Sequence, residues 1–138
     1  MPAFSERSKK ALSSAHPKLR AVFEEVIKTV NCSILCGFRG EEEQDYAVAM
    51  GKSKRPWPTS EHNKYPSKAV DVAPFPIDWD DEARFYYFAG YVLRTAEAMG
   101  IKLRFGGDWN GNFQLKDESW FDLDHFELVE EGYSAPTV

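Results

Sequence analysis

Long apolar runs are missing from this sequence. Nowhere does it contain the run of about 18 apolar residues that a membrane-spanning helix needs, and residues 1–19 hold no apolar segment typical of a signal peptide. We therefore expect neither stable membrane insertion nor export. The pattern predicts a protein that is made and kept in a cytoplasm.

Cysteine is scarce as well, since the chain has two, Cys32 and Cys36. Both fall in an apolar segment, residues 32–38, that is typical of a buried strand. Four strand residues separate two Cα atoms by about 13 Å, which is beyond the reach of a disulfide. We predict two reduced thiols in the core. The alternative is a metal role for the pair, although the sequence has no second cysteine pair to complete an all-thiolate zinc site.

An excess of positive charge is also lacking, because the net charge is -5 at pH 7. An acidic chain is a poor ligand for nucleic acid, so we expect no nucleic-acid partner. The charge is unevenly spread: residues 1–20 are basic and residues 117–131 are strongly acidic. The basic start indicates either a solvated helix face or a weak attraction to an anionic polymer.

What the chain does contain is enough apolar material for one core. Its 138 residues, 43% of them hydrophobic, predict a single domain over residues 1–138. Helical spacing of apolar residues predicts helices over residues 5–14, 17–30, 41–50 and 81–99, the last with Asp80 as its N-cap. Shorter apolar or alternating segments predict strands over residues 32–38, 68–73, 101–105 and 121–129. This irregular alternation of helices and short strands indicates the α+β class.

Two segments carry the residues of a metal site. His62 and Asp71 lie on a loop and the strand after it, and His125 follows Asp122 on a distant predicted strand. Asp71 points away from the valine face of its strand, between two alanines that leave room for an ion. Two imidazoles, one carboxylate ligand and one spare carboxylate suit a catalytic zinc site, which needs three protein ligands, an open position for water and a group that moves the proton of that water.

Each of these residues has a simpler interpretation. A lone histidine is usually a surface or satisfied core residue, and the two aspartates could belong to a solvated acidic edge. Asp122 is the candidate general base, but it precedes His125 by three residues, so the strand must bend or bulge between them. Glu127 shares a strand face with His125 and could orient that histidine.

Several motifs, taken in order, resemble those of a known family. They are Ser60-Glu61-His62, the segments 69–74 and 106–109, and Asp122-Leu123-Asp124-His125-Phe126-Glu127-Leu128. They are similar to the zinc peptidases of the D-alanyl-D-alanine carboxypeptidase and L-alanyl-D-glutamate endopeptidase group, and most similar to its small single-domain phage endolysins. The resemblance extends to residues 12–19, 37–39, Gln44 and 51–53, so it covers nearly the whole chain.

The resemblance implies roles for individual residues. His62, Asp71 and His125 match the zinc ligands, and Asp122 matches the general base toward the attacking water. Arg39 matches an arginine that holds substrate or stabilises the oxyanion. Positions near the substrate cleft are matched by Ser60 and Gln44. Trp109, in the Gly106-Gly107-Asp108-Trp109 loop, either covers the core or forms a wall of the cleft.

The implied fold is a short antiparallel sheet packed against helices, of the hedgehog and D,D-peptidase type. One departure concerns the link between His62 and Asp71, which has eight residues here instead of the usual six. The two extra residues predict a bulged loop beside Asp71.

The expected function is that of a phage endolysin, a Zn²⁺ endopeptidase that cleaves the L-alanyl-D-glutamate bond of bacterial peptidoglycan. The alternatives are a D-alanyl-D-alanine carboxypeptidase on the same fold and a non-catalytic, metal-holding wall-binding module. We further expect a monomer that waits in the host cytoplasm and reaches the wall only after a holin opens the membrane.

Overall fold

A computed structural model describes residues 2–130 of the chain. Met1 and residues 131–138, which belong to the predicted domain 1–138, lie outside the described part. Its elements, in chain order, are helix α1 (Glu6–Ser13), helix α2 (Pro17–Val26), strand β1 (Cys32–Cys36), helix α3 (Glu41–Ala49), a single 3₁₀ turn (Glu61–Asn63), strand β2 (Ala69–Pro74), helix α4 (Glu82–Ala98), strand β3 (Leu103–Phe105) and strand β4 (His125–Leu128). No helix within residues 2–130 is both long and apolar enough to span a membrane.

The four strands form one antiparallel sheet in the order β1-β2-β4-β3. Strand β2 is buried along its whole length, because β1 and β4 flank it and helices cover one face of the sheet. The predicted α+β class with a short antiparallel sheet is confirmed. This order places Asp71 of β2 directly opposite His125 of β4.

Helices α2 and α4 pack on one face of the sheet through their apolar stripes. The ring of Phe126, from β4, contacts Phe23 of α2 and Phe88 of α4 edge to face, with centroid separations of 5.6 and 6.2 Å. Val70 and Val72 of β2 join this core and are fully buried. The valine face of β2 is therefore the core face, and the opposite face of the strand is left for the polar site.

Two helix boundaries differ from the predicted ones. Helix α2 ends at Val26 rather than at residue 30, because the chain there continues in single turns. Helix α4 is capped by Asp81 rather than Asp80, since the carboxylate of Asp81 accepts the backbone N–H of Arg84 at 3.2 Å.

A bulge in β1 overturns the expectation that both cysteines are core thiols. Ile34 pairs with Val72, but the next pair joins Cys36 to Asp71, so β1 holds one extra residue. Cys32 stays in the core, where burial raises the pKa of its thiol to about 12. Cys36 is turned to the polar side, and its Sγ lies 3.9 Å from His62 Nδ1.

The last strand is shorter than predicted, because residues 121–124 lie outside β4. The N–H of His125 donates to the Asp122 carbonyl at 3.1 Å, which closes a turn immediately before the strand begins. This turn is the bend that Asp122 needs in order to share a side with His125.

Candidate active site

The first histidine is held by a tight turn. Ser60 caps the 3₁₀ turn by accepting the N–H of His62 at 3.2 Å, and its own N–H donates to Asn63 Oδ1 at 3.0 Å. His62 Nδ1 lies 2.7 Å from the carbonyl oxygen of Gly37. A carbonyl oxygen only accepts, so Nδ1 carries a proton and Nε2 faces the site.

The second histidine is held through its other ring nitrogen, Nε2. His125 Nε2 donates to Glu127 Oε1 at 2.8 Å, and Glu127 Oε2 accepts from Arg104 Nη1 at 3.2 Å. The predicted contact between Glu127 and His125 is therefore present. Arg104 and Glu127 are both almost fully buried, so this chain of charges is shielded from water. It leaves His125 Nδ1 facing the site.

The carboxylate of Asp71 lies between the two imidazoles. Its Oδ1 is 3.1 Å from His62 Nε2 and 3.4 Å from His125 Nδ1. Its other oxygen, Oδ2, accepts from Arg39 Nη2 at 3.1 Å. Each of the three side chains is thus held through one atom, and both imidazoles direct their other nitrogen toward Asp71 Oδ1.

These separations fit a zinc ion. Zinc bonds to nitrogen and oxygen of about 2.0–2.1 Å in a tetrahedron place neighbouring donors about 3.3 Å apart. The two separations from Asp71 Oδ1, 3.1 and 3.4 Å, lie near this value. Asp71 is shared by two groups that could hold an ion, one with Cys36 and His62 and one with Asp122 and His125. When bound at this point, zinc would act as a Lewis acid toward a carbonyl oxygen and would lower the pKa of water.

The carboxylates of the site stabilise positive charge on the two imidazoles. Burial disfavours the charged form of both imidazoles, but the charge and hydrogen bond of Asp71 outweigh it and raise the pKa of His62 to about 9. The pKa of His125 is raised well above its ordinary value for the same reason, with Glu127 and Asp122 adding to the effect. Burial opposes the carboxylate of Asp71, yet the neighbouring imidazoles hold its pKa well below the usual range.

Asp122 stands beside the ligands without joining the closest contacts. Its Oδ2 is 3.7 Å from His125 Nδ1, and about a quarter of its side chain is exposed to the cleft. Burial, together with the charge of Asp71, raises the pKa of Asp122 although the charge of His125 opposes this. A carboxylate whose pKa is moved toward neutrality is suited to accept a proton from water.

The site opens into a cleft with a cavity volume of about 160 Å³. Trp109 forms one wall, stacks on Trp120 at 5.6 Å and lies 5.3 Å from the ring of His125. It is also 93% buried, so it covers the core and lines the cleft at once. Ser60 and Arg39 line the same cleft.

Gln44 is placed behind the cleft rather than in its wall. Its side chain is fully buried, and its Oε1 accepts from Arg39 Nη1 and from Asn63 Nδ2, both at 3.0 Å. Its Nε2 donates to Ser53 Oγ and to the carbonyl of Arg55. One amide therefore connects α3, the arginine that holds Asp71 and the turn that carries His62.

The longer link between His62 and Asp71 leaves the ligand contact in place. Ser67 is fastened to the junction of α1 and α2, because its N–H donates to the Ser14 carbonyl at 2.9 Å and its carbonyl accepts from His16 at 2.8 Å. Tyr65, 73% exposed, projects outward from the link. The exposed part of the link, residues 64–66, thus extends away from His62 and Asp71.

Sequence reasoning did not find Arg104 or Trp120, and it named Cys36 only as half of an alternative metal-binding pair with Cys32. The bulge that turns Cys36 toward the site cannot be recognised from an apolar strand pattern. Arg104 did leave a signal, since a lone arginine between two apolar residues of one strand faces a lone glutamate in another. Trp120 lies in an irregular segment with no periodicity to place it.

Comparison with known proteins identifies the family. The profile of the family described as phage L-alanyl-D-glutamate peptidase matches residues 2–129. The L-alanyl-D-glutamate peptidase of Escherichia phage T5 is 31% identical over 134 residues, which are 91% of this chain and 97% of that protein. The crystal structure of the Serratia marcescens L-Ala D-Glu endopeptidase ChiX superposes with a TM-score of 0.68 at 28% identity, over 93% of this chain and 91% of that one. The chain therefore belongs to the phage L-alanyl-D-glutamate peptidase family.

Proposed function

We propose that this protein is a zinc-dependent endolysin that hydrolyses the L-alanyl-D-glutamate bond of peptidoglycan. The observation that carries the proposal is the carboxylate of Asp71 between the imidazoles of His62 and His125, next to a cleft, with Asp122 at its edge. Family membership supplies the bond.

The chain's own residues account for the proton movements. Asp122 takes a proton from water as the water oxygen bonds to the alanyl carbonyl carbon. The C–N bond then breaks, and the carboxyl group of Asp122 returns the proton to the leaving amine of the glutamyl residue. Arg39 holds Asp71 in place, and its position in the cleft supports a second role toward negative charge on the carbonyl oxygen.

The shape of the cleft favours cleavage of an internal peptide bond over removal of a terminal residue. A second cavity shares Arg39, Lys52, Trp120 and Asp122 with the cleft and continues toward α3 and Trp79. Space on both sides of the ligand set allows a peptide to pass across it. A carboxypeptidase instead needs a closed end that recognises the terminal carboxylate.

The test is digestion of purified cell walls by the zinc-loaded protein, followed by mass spectrometry. We expect release of stem peptides that begin with glutamate, and atomic absorption is expected to find one zinc per chain. Release of free alanine would favour the carboxypeptidase. Binding to walls without cleavage at any pH would favour the non-catalytic module.

We further propose that the protein acts as a monomer and reaches the wall from the host cytoplasm after a holin opens the membrane. The family membership supports this order of events. Light scattering checks the oligomeric state. Expression in the host with and without a holin checks the release step, because lysis is expected only when both are made.

A further inference from the structure

The rim of the cleft carries an unusual concentration of positive charge. Lys52, Lys54 and Arg55 are three cations within four residues of a chain whose net charge is -5, and all three line the cleft. Within residues 2–130 none of them forms an ion pair. Charge left uncompensated at the mouth of a site attracts an anionic ligand.

The backbone of this segment is held firmly against the cleft. The buried Gln44 donates from Nε2 to the Arg55 carbonyl at 2.6 Å and to Ser53 Oγ at 3.0 Å, and Ser53 Oγ accepts the N–H of Arg55 at 3.1 Å. Lys54 Nζ lies 5.5 Å from the centre of the Trp120 ring, within the range of a cation–π contact. The cations are thus positioned by the fold.

Arg55 lines the same cleft as the candidate ligands. It borders the cavity together with His62, Asp122 and His125. Glu127, which holds His125, lines that cavity as well. Arg55 therefore lies at the edge of the space in which the scissile bond must lie.

The proposed substrate has an anion at this distance. A glutamyl residue uses one of its two carboxyl groups to continue the peptide, so the other remains a free carboxylate. It belongs to the residue whose nitrogen leaves, only a few bonds from the reacting atoms. An arginine fork binds such a carboxylate through two parallel hydrogen bonds.

We propose that Arg55, assisted by Lys52 and Lys54, forms the subsite that binds the free carboxylate of the glutamyl residue. The inference rests on the proposed function and deepens it, because it makes the negative charge of the substrate's glutamyl residue a determinant of specificity. Amidation of the carboxylate, which removes its charge, is then expected to lower the kcat/KM for the substrate.

The experiment compares two synthetic stem peptides that differ only in whether this carboxylate is free or amidated. The zinc-loaded wild type is expected to cleave the free form with a kcat/KM roughly 10- to 100-fold higher, the range of one charge-assisted hydrogen bond. Arg55→Ala is expected to lose this preference, because the KM for the free form rises far more than the KM for the amidated form. Arg55→Lys, which keeps the charge, is expected to fall between.

Arg94→Ala is the matched control, because Arg94 is an exposed arginine on α4 outside the cleft. It is expected to retain the wild-type preference. Equal cleavage of both peptides by the wild type, or an equal loss on both with Arg55→Ala, would overturn the inference while leaving the proposed function intact. Failure of the wild type to cleave either peptide would overturn the proposed function, and the subsite with it.

Discussion

At the scale of single residues, each proposed metal ligand is held through the atom that faces away from the proposed metal position. Gly37 fixes His62, Glu127 fixes His125, and Arg39 fixes Asp71. The sequence motifs predicted which residues meet here, His62, Asp71, Asp122 and His125, because short patterns carry them. Their partners could not all be predicted, because a backbone carbonyl or a buried arginine has no motif of its own.

Glu127→Gln is expected to weaken zinc binding by about 10- to 100-fold, since a neutral amide no longer supports the charge on His125. Competition with a chelating dye measures the affinity. Glu130→Gln is the control, because Glu130 is half exposed and pairs with Lys68 away from the ligands. Unchanged zinc affinity in Glu127→Gln would contradict the orienting role.

Asp122→Asn is expected to lower kcat by about 10²- to 10⁴-fold while zinc binding and folding persist, because an amide cannot accept the proton from water. Wall digestion and metal analysis on the same sample separate these effects. Full activity in the zinc-loaded variant would remove Asp122 from its proposed role as base.

At the scale of elements, two backbone irregularities build the site. The bulge in β1 turns Cys36 toward it, and the turn before β4 brings Asp122 beside His125. Periodicity predicted the helices and strands well, since helix and strand spacing is regular. Periodicity predicted the last residue of α2 and the first residue of β4 wrongly, because a turn interrupts the regular spacing without changing the types of residue.

Gly106→Ala is expected to destabilise the protein by roughly 2 kcal/mol or more and to reduce activity, because an added Cβ would lie 2.1 Å from the Asp122 carbonyl oxygen. Gly90→Ala is the matched control: nothing lies within 4 Å of its Cβ position in α4, and it is expected to stabilise by about 0.5–1 kcal/mol. Urea unfolding of the zinc-loaded variants measures both. Equal stability of the two would show that the turn tolerates a displaced Asp122.

At the scale of the whole molecule, one sheet gathers residues that are distant in the chain. Asp71 and His125 meet because β2 pairs with β4. His62 joins them through a turn that is anchored to the Arg39 backbone, because the His62 carbonyl accepts the N–H of Arg39 and Asn63 Nδ2 donates to the Arg39 carbonyl. The α+β class was predictable from the order of elements. The strand order β1-β2-β4-β3 was not, because long-range pairing has no local signature.

The stability of the metal-free protein is expected to fall as pH rises from 6.5 toward 9. The pKa of His62 is raised from 6.5 to about 9 by folding, so the stabilisation is complete below 6.5 and is lost as pH passes the folded value. Bound zinc takes the place of the proton, so the zinc-loaded protein is expected to lack this decline.

Urea unfolding between pH 6 and pH 10, with EDTA or with zinc, measures the two trends. His62→Gln is the control, because it removes one of the two imidazoles whose pKa is raised by folding; its metal-free profile is expected to be flatter, with His125 causing the decline that remains. A metal-free wild type whose stability rises over the same range would contradict the assignment.

The two histidines come from opposite halves of the chain, and in the unfolded state nothing keeps them together. A cation that remained attached to both would close a long loop and reduce the conformational entropy of the unfolded chain, as a disulfide does. The cysteines cannot supply such a link, since Cys32 is in the core and Cys36 is turned to the other side of the same strand. The ligand set would then act as a reversible cross-link, installed by the metal and removed by a chelator.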